Sequence, residues 1–136
     1  MIVGFVCVQN AGRSQMATAF AERERDERGL TDLEIVTGGT DPAEELHPEV
    51  VAAMAELDID LSDRSPREVS TAELEACDLV ATMGCSTLDL DAETEVRDWA
   101  LPDPEGEPPE RVREIREQVR ENVARVFDDI EVRARQ

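Results

Sequence analysis

Residues 2–7 (Ile-Val-Gly-Phe-Val-Cys) form a continuous apolar run rather than an alternating one, which suits a strand buried on both faces. From residue 13 the period changes. Met16, Ala17, Phe20 and Ala21 recur at helical spacing over residues 13–28, and Gly29 stands where such a helix would cap. Residues 33–37 (Leu-Glu-Ile-Val-Thr) predict a second strand closed by Gly38-Gly39. Pro48 opens a second helix with Val50, Val51, Met54 and Leu57 as its apolar stripe. A loop follows over residues 59–70, and Ser70 with Glu73 three positions on predicts a capping box on a short helix. Residues 78–83 predict a third strand and Val96–Trp99 a fourth. Pro102, Pro104, Gly106, Pro108 and Pro109 stiffen the next segment into a loop. From about residue 110 to 130 the stripe Val112, Ile115, Val119, Val123, Val126 and Phe127 predicts a long amphipathic helix. Strands alternating with helices imply an α/β fold, a parallel sheet covered by helices on both faces. At 136 residues, with no repeat or low-complexity tract, the chain (1–136) is expected to be a single domain.

Composition narrows the classes. Asp and Glu number 33 against 14 basic residues, a net charge of −19, and every basic residue is Arg. Such a field repels nucleic acid and anionic membranes, so neither is an expected partner. It fits an acidic surface suited to a salt-rich, halophilic cytoplasm. The apolar start lacks a basic leader and runs directly into a motif, and no run of 18 apolar residues occurs, so a cytoplasmic protein is expected. Three cysteines, with no Cys-x2-Cys pair and a single His, predict neither a disulfide framework nor a metal site.

The chemistry concentrates in Cys7-Val8-Gln9-Asn10-Ala11-Gly12-Arg13-Ser14, between the first strand and the first helix. In a parallel α/β sheet, ligands bind beyond the carboxyl ends of the strands, where Cys7 falls. The loop's backbone N–H groups, with the start of the helix behind them, can curl around an anion. Arg13 adds a planar fork matched to two oxygens of a tetrahedral oxyanion. Gly12 suits a backbone shape that larger residues resist. Positive surroundings favour a Cys7 thiolate, to which Ser14 can donate a hydrogen bond, and Asn10 reads as a brace bonding the loop backbone. A chance Cys-x5-Arg-Ser in a chain of this size is on the order of one per cent, so the motif is specific.

This loop resembles the low-molecular-weight protein tyrosine phosphatase superfamily. Phe5 through Ala17, then Ala-Thr-Met-Gly-Cys at 81–85, Arg97 through Gly106, and Val112 through Val123 are similar to its arsenate reductase branch, of the thiol-linked type. The resemblance runs from Val3 to about Val123. It implies a four-stranded parallel sheet, no bound cofactor, and an arsenate or phosphate-like oxyanion as substrate. It also implies an external thiol reductant, thioredoxin or a small thiol. Asp103, in Leu-Pro-Asp-Pro, matches the superfamily's general acid, which protonates the departing oxygen. Phosphatases of the superfamily usually carry aromatic residues beside this acid. Here Pro-Glu-Gly follows it and the chain has no Tyr, which disfavours a phosphotyrosine substrate.

Cys85 matches the first resolving cysteine of thiol-linked reductases, which attacks the Cys–arsenic adduct and forms a disulfide. Those sequences place another Cys a few residues later, and none follows here. Cys77 is no substitute, because the strand between it and Cys85 would hold them roughly 26 Å apart. Cys85 is thus either a redox partner of Cys7 or a bystander. His47, Trp99 and the Arg series of the last helix read as structural or solvated. The leading expectation is an arsenate reductase. The alternatives are a phosphatase acting on a phosphoprotein or other phosphomonoester, with Cys85 idle, and a non-catalytic oxyanion binder.

Overall fold

The structure, a computed structural model, describes residues 1–84 and 94–134. Its elements run β1 (Ile2–Cys7), α1 (Arg13–Arg28), β2 (Glu34–Gly39), α2 (Pro48–Ala55), α3 (Thr71–Glu75), β3 (Leu79–Met83), β4 (Glu95–Asp98) and α4 (Pro109–Ala134). The four strands are parallel in the order β2-β1-β3-β4, with Cys7 level with Gly39 and Met83. β1 is central and buried, which is why it reads as an unbroken apolar run.

The pleat divides β1 between two cores. Val3, Phe5 and Cys7 join Leu79, Ala81 and Met83 in the larger cluster, with Met16, Ala17, Phe20, Val50, Met54 and the stripe of α4. Val6 and Val80 face the other way, toward Val69, Leu74 and Cys77. Three helices therefore cover one face, and α3 with its flanking loop covers the other. The expected stripe of α4 is buried along its length, Val112 to Phe127. The predicted capping box is present, Ser70 Oγ accepting from the Glu73 N–H.

Several boundaries differ from expectation for physical reasons. β2 runs through Gly38 and Gly39 instead of stopping before them. A Cβ on Gly38 would strike Val69, and one on Gly39 would strike the Val8 carbonyl. These glycines are there for clearance. α2 ends at Ala55, so Leu57 lies past the helix. The chain closes a Schellman turn in which Ile59 N–H donates to the Met54 carbonyl and Asp58 sits at φ 62°. Arg116 is not on a solvated face. It is buried, donating to the Ala53 carbonyl (2.8 Å) and pairing with Glu56 (2.8 Å). Trp99 is partly buried, its ring 6.0 Å from that of Phe5. At one margin of the sheet, β4 is four residues long and carries Glu95, Arg97 and Asp98. Arg97 pairs with Asp129 of α4 (2.8 Å), and Arg133 pairs with Glu95. No helix among the described residues is long and apolar enough to cross a membrane.

Candidate active site

The chain between β1 and α1 is held open by a second strip of backbone. Thr40, Asp41, Ala43 and His47 donate their N–H groups to the carbonyls of Cys7, Val8, Gln9 and Ala11, at 2.8–3.2 Å. The Asn10 carbonyl accepts from Gln15 Nε2 (3.1 Å). In a planar trans peptide the N–H points opposite to the C=O. Drawing the five carbonyls outward therefore turns the N–H groups of Val8, Gln9, Asn10, Ala11 and Gly12 inward, around the space above Cys7. These N–H groups and the first turn of α1, which begins at Arg13, make a cradle for an anion.

Cys7 sits at the floor, 2% exposed. The Asn10 N–H donates to its sulfur at 3.1 Å, and Ser14 Oγ lies 2.8 Å from it. Asn10 Nδ2 donates to that same Ser14 oxygen (2.7 Å), taking one of its two lone pairs. The Asn10 N–H donates to the sulfur, and the Ser14 hydroxyl is free to do the same.

Asn10 is a brace, but through partners other than its own loop's backbone. Its Nδ2 also reaches Thr37 Oγ1 (3.0 Å), and its Oδ1 accepts from Gln15 Nε2 (3.0 Å) and the Arg67 N–H (3.0 Å). Asn10 has φ 52°, a left-handed conformation that Asn tolerates better than most residues. Gly12 lies at φ −140°, so space, not a left-handed backbone, explains the glycine. A Cβ there would press on His47 and Pro104, both at 3.1 Å.

Arg13 donates from Nη1 to the Leu101 carbonyl (2.9 Å), and its Nη2 stands 4.0 Å from Asp103 Oδ2. Its guanidinium packs on Gly84, where an added Cβ would lie 2.8 Å from Nη1. Asp103 is about half exposed and is oriented by the Glu105 N–H, which donates to its Oδ1 (3.0 Å). The loop over residues 99–108 thus hangs the Asp103 carboxyl at the mouth of the cradle beside Arg13.

Cys7, Asn10, Arg13, Ser14 and Asp103 all meet at one edge of the sheet. Cys85 lies outside the described residues; Gly84, just before it, touches Arg13. Cys77 is buried on the opposite face with Val6, Val69, Leu74 and Val80. Burial, then the charges of Asp78 and Glu73, push its thiol up to about 11. Gln15, Thr37, Arg67, Gly84 and the Leu101 carbonyl were not singled out in the sequence. Gln15 follows Ser14 in α1, and the other four come from four further segments. His47, set aside as structural, lies within 4.8 Å of the carboxylates of Asp103 and Glu105.

The low molecular weight phosphotyrosine protein phosphatase family model matches residues 2–136. A Halobacterium salinarum protein, provisionally named an arsenate reductase, is 66% identical over 128 residues, 93% of this chain and 90% of the relative. A Synechocystis glutaredoxin arsenate reductase is 32% identical over 133 residues, 94% of this chain and 97% of that protein. The solved thioredoxin-dependent arsenate reductase of Corynebacterium glutamicum is 30% identical, with a TM-score of 0.77. That match covers 96% of this chain but spans only 62% of that longer protein.

Proposed function

The chain belongs to the low molecular weight phosphotyrosine protein phosphatase family, and from that membership we propose that it is an arsenate reductase whose nucleophile is Cys7 and whose electrons come from an external thiol. The observation that carries the chemistry is the Cys7 sulfur hydrogen-bonded by the Asn10 N–H and by Ser14 Oγ, beneath inward-turned N–H groups and Arg13. Arsenate, rather than a phosphoester, is favoured by the 66% identity to a protein with an arsenate reductase name. The acid loop agrees, offering Pro104-Glu105-Gly106 where an aryl group would need aromatic walls.

The reaction proceeds in two displacements. The loop N–H groups of Val8 to Gly12 and the Arg13 fork hold three arsenate oxygens and take up charge as it builds. Cys7 Sγ attacks arsenic, an S–As bond forms, and one As–O bond breaks. Asp103 gives its proton to the departing oxygen, which leaves as water. A thiolate then attacks the Cys7 sulfur. The S–As electron pair stays on arsenic, which falls from the pentavalent to the trivalent state and leaves as arsenite, while the two sulfurs form a disulfide. The attacking sulfur is either Cys85, giving a Cys7–Cys85 disulfide, or a soluble thiol. The external reductant reopens the disulfide. The Synechocystis and Corynebacterium relatives, named for glutaredoxin and thioredoxin, support a thiol donor of this kind.

The test is arsenite production from arsenate in concentrated KCl, with a thioredoxin system in one arm and a small thiol with glutaredoxin in the other. Thiol-dependent turnover that Cys7→Ser abolishes is the expected outcome, and the better donor identifies the partner. Brisk aryl phosphate hydrolysis without arsenite would make the chain a phosphatase in which water attacks the phospho-cysteine. Cys85→Ser with unchanged arsenite in excess small thiol would favour direct attack by the soluble thiol.

A further inference from the structure

Two loops beside the cradle bring together three side chains of types that can ligate a metal. His47 is fixed to the anion loop by its N–H, which donates to the Ala11 carbonyl (2.9 Å). Asp103 and Glu105 are tied to each other by the Glu105 N–H and to α2 by the Gly106 N–H, which donates to Glu49 Oε1 (3.3 Å). One ligand atom from each of His47, Asp103 and Glu105 lies within 4.8 Å of the others. In a tetrahedral site with bonds of about 2.0–2.1 Å the ligand atoms sit roughly 3.3 Å apart. Small rotations of two exposed carboxylates close that gap. Among the described residues, neither the His47 imidazole nor the Glu105 carboxylate is spent on a hydrogen bond or ion pair. Among the same residues, Asp103 Oδ2 has only Arg13, at 4.0 Å.

We propose that His47, Asp103 and Glu105 form a site for a divalent transition-metal ion, zinc in the first instance, that takes Asp103 out of service and shuts off turnover. The shut-off rests on Asp103 being the general acid; the binding does not. The donor set decides the class of ion. A purely carboxylate cluster on an acidic protein would take magnesium, calcium or potassium, whereas one imidazole nitrogen biases the site toward zinc, copper or nickel. Three protein ligands leave a fourth position for water. A carboxylate coordinated to the ion has no proton for the departing oxygen, and its turn toward His47 draws it from Arg13. The enzyme would then respond to free transition metal at the mouth of its own site.

Binding is measured first on Cys7→Ser protein, where no nucleophilic thiolate competes for the metal. Zinc is titrated by calorimetry and cobalt(II) by its absorption spectrum, in concentrated KCl. One site per chain is expected, with nitrogen and oxygen ligation and no displacement by excess magnesium. Adding Glu105→Gln should weaken it by at least about tenfold, the cost of disturbing even an outer ligand. Affinity unchanged by Glu105→Gln, or equal displacement by magnesium, would overturn the site. Activity is then followed as thiol-free aryl phosphate hydrolysis by the Cys7 protein. Zinc should suppress it, and Glu105→Gln, measured against its own metal-free rate, should need about tenfold more zinc for the same fractional loss. Binding without suppression would overturn the shut-off. No turnover of arsenate or aryl phosphate by metal-free protein would instead overturn the functional reading and leave the titration standing.

Discussion

Replacing Ser14 by Ala would leave the Cys7 sulfur with one hydrogen bond, from the Asn10 N–H, in place of two. A hydrogen bond to a charged group contributes about 1.5–3 kcal/mol, which is about ten- to a hundredfold in rate where it is fully expressed in the transition state. A fall of that order in kcat/KM for arsenate, with an unchanged melting temperature, is the expected result. Gly84→Ala tests the other side of the cradle. Gly84 has φ +81°, and its new Cβ would meet the Arg13 guanidinium at 2.8 Å. The backbone alone costs about 1–2 kcal/mol, and the displaced Arg13 should raise the KM for arsenate. A KM unaltered by Gly84→Ala would mean Arg13 is not held where the oxyanion sits. Cys77→Ala should leave arsenite production intact, because that thiol is buried on the far face. Cys7, Arg13 and Ser14 were legible in the sequence because they share a short motif whose chemistry fixes its neighbours, and Asp103 was legible through the family resemblance of its Leu-Pro-Asp-Pro loop. Thr37, Arg67, Gly84 and His47 were not, because what recruits them is the folded path of segments far apart in the chain.

Between elements, Glu56 at the end of α2 joins α4 through Arg113 (2.7 Å) and Arg116 (2.8 Å). The hydrogen bonds from Arg113 and Arg116 hold its carboxyl down at about 2, from an ordinary 4.5. A carboxyl lowered by folding stabilises the fold above its unfolded value and loses that contribution as pH falls through its folded value. Glu56→Gln should therefore lower the melting temperature at neutral pH, with the deficit shrinking between about 4.5 and about 2. A deficit that persists below that window would mean the side chain acts by packing rather than charge. The helices were readable from the 3.6-residue period, whereas β1, buried nearly throughout, was readable as a short apolar run rich in Val and Ile. The ends were less so. Leu57 continues the apolar stripe of α2, yet the Schellman turn at Asp58 stops the helix before it. Arg116 follows the polar spacing of α4 but lies where Glu56 and the Ala53 carbonyl can receive it.

For the molecule as a whole, 33 acidic residues face 14 arginines, so repulsion exceeds pairing. Exposed pairs are individually worth about 0–1 kcal/mol, and salt weakens them together with the repulsion. With a net charge of −19 the repulsion is the larger quantity. Raising KCl from about 0.1 M to about 1 M shortens the screening length from about 10 Å to about 3 Å, and the melting temperature should rise. A fall would show that the ion pairs, not the net charge, govern stability. Charge and fold class were evident from composition and pattern, while the strand order β2-β1-β3-β4 was not, because local spacing does not say which strands become neighbours. The outer strand β4 has a consequence here. Brine that quiets repulsion within one molecule quiets it between molecules too, and crowded copies then lose their electrostatic standoff. A strand of only four residues, carrying Glu95, Arg97 and Asp98, offers little edge to copy and charges that would have to shed water on docking. At this margin of the sheet, resistance to edge-to-edge pairing rests on the strand's shortness and wetting.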